Sequence, residues 1–416
     1  MSDSRARTDG LTGELLEKTL RYAREREYTG WDYADGMSSR VLKGLPFENK
    51  WVNLVVQEGI KRAPVNLRPL FLVEQRRNYK GIALFVMANL TAHQLGLGDR
   101  MGGASAVDYE AEARALAEWL VAERTPGYAG FCGASRHEIQ YFDKKGLPSW
   151  PDMVSTTYAV RALLAAHDAG LDTGETDYSK TVRSVADFIY EDLEYEEIED
   201  GARMKYVPTW SSEHYTLNAV ALGGITLLEL AARFEGEYRE RGEKLLDYVV
   251  SRQRPEGGWM YRDPPSSSHL SMDNHHNGFI IESLLRHGEL TGSERYSDVL
   301  DEALPFYRNQ LFEPNGAPNW DESRAYPRDI HGAAQGIIVF SQAGDFESAE
   351  RVIEWVLGAL YAGDGRFYYR KERFYTKHIT LMRWCEAWMA YALSTYLARR
   401  TETAGKSTPQ RANRIR

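Results

Sequence analysis

The chain has 416 residues, 43% hydrophobic and 27% charged, a balance that supplies a large core and excludes intrinsic disorder. A net charge of -9, with no basic stripe before a short tail from Lys406 to Arg416, argues against nucleic-acid binding, and two cysteines without CxxC spacing argue against a disulfide framework or a thiolate zinc site. The polar start MSDSRARTDG and the lack of any run of roughly 18 apolar residues argue against secretion and membrane insertion, so a reduced, cytoplasmic setting is expected.

In chain order, a helix over 11–27 and the segment WDYADGMSSR form an N-terminal extension, 1–48, ahead of a repeat. The repeating unit is a helix, a long loop and a second helix. The second helices align on an acidic residue: Glu74 (EQRRNYKGIALF), Asp152 (DMVSTTYAVRALL), Glu213 (EHYTLNAVALGGI), Asp273 (DNHHNGFIIESLL) and Asp329 (DIHGAAQGIIVF). Thr380 takes that place in a sixth copy, TLMRWCEAWMAYAL. The first helices begin near Asp108, Asp177, Glu237, Ser293 and Asp345.

Apolar residues fall at helical offsets in both series, as with Val160, Leu163 and Leu164, or Val352, Trp355, Val356 and Leu360. Asp, Glu and Thr at the starts can accept hydrogen bonds from free N–H groups, and Gly344 before Asp345 closes one helix and opens the next. The second series carries small residues, such as Gly223, Gly224 and Gly336, suited to close approach inside a ring. One helix pair cannot bury its apolar face alone, so successive pairs must stack. The expected fold is all-α, an (α/α)6 toroid over 49–400, followed by a basic, disordered tail, 401–416.

The string Gln253, Arg254, Pro255, Glu256, Gly257, Gly258, Trp259 resembles the Q-x3-G-x-W core of the QW repeat of squalene and oxidosqualene cyclases, which are α/α toroids. Echoes occur at 316–320 (GAPNW) and 365–369 (GRFYY). The initiator strings of those cyclases, DxDD and DCTAE, do not occur. The toroid implied by the resemblance is shared by six-hairpin glycosidases, polysaccharide lyases and sugar epimerases. The C-terminal third, with DIHGAAQGI and RWCEAWMAYAL, resembles uncharacterised proteins of surface-polysaccharide gene clusters. These resemblances imply carbohydrate as the ligand.

In such a ring the loops joining first to second helices share one face. Here they are long, while the opposite connections, such as SQAGDF, are short. The long loops hold aromatic residues fit for sugar faces or an isoprenoid chain, among them Trp150, Trp210, Trp259, Trp320, Tyr261 and Tyr375, and we expect half of this set to be core plugs. They also hold Arg76, Arg77, Arg262, Arg370, Arg373 and Arg383, whose forks match carboxylate or phosphate, so an anionic ligand is expected: a uronate glycan or a lipid-linked sugar diphosphate.

His214, His275, His276 and His331 follow acids near the helix starts and suit proton transfer. One chemistry uses His275, His276, His331 or Tyr261, with Asp273 and Asp329, to remove a proton beside a carboxylate while arginine and Asn277 steady the charge, giving elimination or epimerisation. The alternatives are hydrolysis by paired carboxylates among Asp152, Glu213, Asp273, Asp321 and Asp329, and a toroid that binds glycan or isoprenoid without chemistry. No cofactor is called for. No metal site is expected either, because His275 and His276 are neighbours and should point to different sides of a helix.

Overall fold

The computed structural model describes residues 2–98, 107–142, 144–174, 176–211 and 213–407. Among them, six inner helices run Tyr79–Gln94, Met153–Asp168, Leu217–Ala231, Asn274–Thr291, Ile330–Gln342 and Trp388–Ser407. Each packs on the next and the sixth packs on the first, so the ring closes. Outside it lie Tyr109–Ala122, Tyr178–Arg183 with its helical continuation to Asp192, Tyr238–Val250, Ser297–Gln310 and Phe346–Ala359. The third inner helix is buried from Leu217 to Leu230, as expected of a helix apolar on every side.

The remaining outer helix, first in chain order, is Ser2–Arg24, which packs on the sixth and first inner helices. The toroid therefore does not begin at residue 49. The segment expected to be an extension is the outer half of the first pair, hidden in the sequence by the long stretch 25–78 that separates it from Tyr79. That stretch carries an extra helix, Lys50–Arg62, whose Asn53 and Gln57 turn inward to bond Gln140. At the other end, the last helix continues through Ser407, and the rest of the expected tail lies outside the described residues.

A recurrent glycine reports the register of the pairs. Gly130, Gly201, Gly257, Gly316 and Gly365 each lie on the main chain of the following outer helix, where a Cβ would come within 1.7–2.6 Å of the carbonyl oxygen of Ser184, Lys244, Glu302, Arg351 or Lys18. Lys18 sits on Ser2–Arg24, which confirms that helix as the one following the sixth pair. Gly257 belongs to the QW-like string, and the string is architectural. Gln253 donates to the carbonyls of Gly257 and Val299, while Trp259 is buried with its indole N–H on Val249.

The starts of the inner helices are satisfied by the neighbouring loop. The N–H groups of Met153, Leu217, Asn274, Ile330 and Met382 donate to the carbonyls of Tyr206, Tyr261, Trp320, Tyr369 and Trp31 at 2.9–3.2 Å. An aromatic residue thus recurs at the rim of the ring. Side-chain caps come from Asn78, Asp152, Asp273 and Asp329. Glu74 and Glu213 are not caps, since Asn78 and Thr216 occupy those places. The sixth inner helix is entered through a π-turn, Met382–Ala387, rather than at Thr380.

Small residues serve the outer wall more than the inside of the ring. Gly224 faces Gly242 of the third outer helix, and Gly336 faces the Phe312 ring. Deep in the ring, Arg161 donates to Glu282 at 2.6 Å and Gln335 to the same carboxylate at 2.8 Å, tying the second, fourth and fifth inner helices together. No described helix is long and apolar enough to cross a membrane.

Candidate active site

The inner-helix starts form the floor of a cleft of about 770 Å³ at one mouth of the ring, walled by the long loops. A second arm opens beside it and shares Tyr33, Tyr261, His269, His275, His276 and Trp384 with the first. Aromatic groups dominate the walls. Tyr33 stacks on Trp384 at 4.4 Å between centroids, and Tyr141 and Tyr206 meet Trp210 edge-on.

Four imidazole and indole rings crowd the floor. His275 lies 4.0 Å from His276 and 4.7 Å from His331, and His331 stacks on Trp388 at 4.4 Å. The expectation that His275 and His276 diverge fails because both sit in a first turn and fold back on the cap. The Nδ1 of His276 is 2.9 Å from both carboxylate oxygens of Asp273, and that of His275 is 3.4 Å away. The ligand-capable atoms of these three residues all lie within 4.8 Å of one another.

The Asp273 carboxylate accepts the Nδ1 proton of His276, which leaves the Nε2 lone pair of that ring free. Asp273 holds its charge: burial opposes it, but the two imidazoles beside it draw its pKa down. Burial, helped by the neighbouring His276, depresses His275 to about 3. His331 is pushed well below the usual range by burial and by His275 and Lys80, and neither of its ring nitrogens has a hydrogen-bond partner among the described residues. Both of these imidazoles are neutral at ordinary pH.

The structure gathers His275, His276, His331, Tyr261, Trp210, Arg262 and Arg383 around the first arm, and Trp320, Arg370 and Tyr375 around the second. Asp273 and Asp329 stand behind them. Asp329 caps the fifth inner helix through the His331 N–H at 2.9 Å, accepts the Trp384 indole N–H at 2.7 Å and pairs with Arg370 at 2.8 Å. His214 lies beside Trp210, with ring centroids 6.5 Å apart, but is not among the groups lining either arm.

Five of the expected binding residues fall elsewhere. Trp259 and Asn277 are 1% exposed, and the Asn277 amide is spent on the main chain of Trp259 and Asp273. Arg76 pairs with Glu74 and lines a separate hollow, Arg77 donates to the Glu27 carbonyl, and Arg373 packs over the exposed Phe374. The acids Asp152 and Asp321 are likewise committed, the first to the Ser155 N–H and hydroxyl, the second to Arg324 and Ser323.

Sequence reasoning missed Asp32, Tyr33, Lys80 and Trp384. Asp32 takes a two-pronged bond from Arg383, at 2.8 Å from its Nε, and a further bond from the Asn78 amide. Tyr33 and Asp32 lie in WDYADG, so reading that segment as the mouth loop of a first pair would have found them. Lys80 is in the string NYKG at the start of the first inner helix, and only its place in the repeat marks it.

No protein-family model matches the chain, and no curated protein is matched by its sequence. Solved structures do match. A cellobiose 2-epimerase from Bacillus thermoamylovorans superposes with a TM-score of 0.57 at 12% identity, covering 78% of this chain and 88% of its own. A polysaccharide lyase gives 0.57 at 10% identity, covering 97% and 99%, and a GH76 α-mannanase from Bacteroides thetaiotaomicron gives 0.54 at 14%, covering 79% and 87%. At these identities the likeness establishes the α/α toroid fold shared by all four chains.

Proposed function

We propose that the protein is a carbohydrate-active enzyme that abstracts a proton from a sugar carbon next to a carbonyl or carboxyl group, as an epimerase or a lyase. The Asp273–His276 pair carries this reading. A carboxylate that orients an imidazole by its Nδ1 leaves Nε2 to act as base at the floor of an aromatic-walled cleft. His331 is suited to the complementary task. A neutral imidazole at a helix start, with uncommitted nitrogens, donates a hydrogen bond to a developing oxyanion without losing a full proton. The toroid neighbours described above, which include an epimerase and a lyase, are consistent with this chemistry.

Hydrolysis by paired carboxylates ranks lower, because each acid near the floor is already committed to a cap, a serine or an arginine. The working compartment proposed is the cytoplasm, which suits two free, buried cysteines, Cys132 and Cys385. Incubating the protein with a panel of sugars and oligosaccharides in deuterated water tests the reading. Deuterium entering a sugar carbon signals epimerisation, and ultraviolet absorbance of an unsaturated product signals elimination. Release of reducing ends with neither signal would overturn the proposal.

A further inference from the structure

The arginines that suggested an anionic ligand are largely neutralised by their own partners. Arg383 is held by Asp32 and Arg370 by Asp329. Lys80 is different. It lines the cleft from the first turn of the first inner helix, and among the described residues its ammonium has no hydrogen bond or ion pair. The next residue, Gly81, packs directly on the Arg383 side chain, and both Lys80 and Arg383 line the cleft. Burial, reinforced by Arg383, pushes Lys80 down to about 8. A half-buried ammonium with three donors facing the cleft offers them to the acceptor oxygens of a ligand.

We infer that the substrate carries a carboxylate and that Lys80 is the group that seats it. This rests on the proton-abstraction reading and names its substrate class, an acidic sugar. The groups facing Lys80 are Arg383, Asp152, Asp32, His275 and His331. Two carboxylates in that company disfavour a dianionic phosphate and tolerate a monoanion. A second cation stands on the wall, since Arg262 lies against Tyr261 and Trp210 with its Nε buried and unpartnered. A uronate seated on Lys80 brings the carbon bearing its carboxylate to the imidazoles. His276 takes that carbon's proton and the electron pair moves into the carboxylate as an enolate. The enolate then either expels the alkoxide on the adjacent carbon, which takes the proton held by His276, or is reprotonated by water on the opposite face while His276 returns its proton to solvent.

Calorimetric titration of wild type, Lys80→Met and Lys80→Arg tests this, using a glucuronate-terminated disaccharide, its neutral glucose counterpart and glucose 6-phosphate. Wild type is expected to bind the uronate at least tenfold tighter than the neutral sugar. That preference should fade between pH 7 and 9, vanish in Lys80→Met and survive in Lys80→Arg. Equal affinity for uronate and neutral sugar, an equal loss for both in Lys80→Met, or preference for the phosphate would overturn the inference. In those cases, deuterium exchange into a neutral sugar would leave the proton-abstraction reading standing. Failure of every sugar to bind or exchange would remove both.

Discussion

Arg383 closes on Asp32 across 351 residues of chain, joining the turn that enters the last inner helix to the loop that follows the first outer one. The pair is buried at the edge of the cleft, where Asp32 also receives the Asn78 amide and has His137 at 3.7 Å. Removing one member strands the other. Asp32→Ala is expected to cost about 3–5 kcal/mol, the usual penalty for an uncompensated buried charge. Chemical denaturation of the two proteins checks it.

The same carboxylate makes stability depend on pH. Burial works against its charge, yet Arg383 and His137 hold its pKa at about 2, below the value of about 3.9 for a free aspartate. A depressed acid stabilises the fold above its unfolded pKa and loses that contribution as pH falls from about 4 to about 2. His275 and His331 act in the same direction from about pH 6.5 downward, because they are neutral when folded and take up protons when unfolded. Melting temperature should therefore fall steadily on acidification. Asp32→Asn should start lower at neutral pH and lose less between pH 4 and 2.

For the chemistry, His276→Ala is expected to lower turnover by about 10²–10⁴-fold, the range of a lost general base. Asp273→Ala should lower it less and also cost about 1 kcal/mol of stability, since Asp273 caps the helix as well as orienting the ring. Turnover and thermal melts on both variants separate the two effects. If His276→Ala exchanges deuterium into substrate as fast as wild type, the base has been misassigned.

Trp384 lines the cleft with Tyr33 stacked on its ring and its N–H fixed by Asp329. Trp384→Ala should raise KM about tenfold, the loss of an aromatic platform, with a smaller effect on kcat. Steady-state kinetics distinguishes this from a general collapse of the site, in which kcat would fall with it.

Much of the fold was legible because the repeat is written in helix caps. Asp108, Asp152, Asp177, Asp273, Asp329 and Asp345 all cap the helices expected of them. The misses share a cause. Glu74 and Glu213 match the acid pattern in sequence, but capping depends on backbone geometry one turn further on, where Asn78 and Thr216 stand. The site was half legible: the repeat put His275, His276 and His331 at helix starts on one face, although it did not foretell their packing, whereas the fate of each arginine depended on acids remote in sequence, as Arg383 on Asp32 shows. Lys80 was missed because its isolation is a property of the closed ring.

The recurrent glycines allow a test of how one pair packs on the next. At Gly316, with φ of 83°, a Cβ would lie 2.3 Å from the Arg351 carbonyl group. Gly316→Ala meets both a disfavoured backbone region and a main-chain overlap, and should destabilise by more than about 1 kcal/mol. At Gly363, also at positive φ but with open space around it, alanine meets only the backbone penalty. Equal melting temperatures for the two variants would show that the contact does not bear on stability.

Docking of Ser2–Arg24 against the last inner helix has a consequence for how the molecule is made. Its neighbours, Gly365 and the helix Trp388–Ser407, follow it in the chain only after all the other inner helices. Ser2–Arg24 is made well before its seat exists, and it carries the apolar residues Leu15, Leu16 and Leu20 uncovered until then. Sealing the ring is a late, long-range event, and a nascent chain stalled before residue 365 is an open arc with that apolar helix still unseated, a natural target for chaperones.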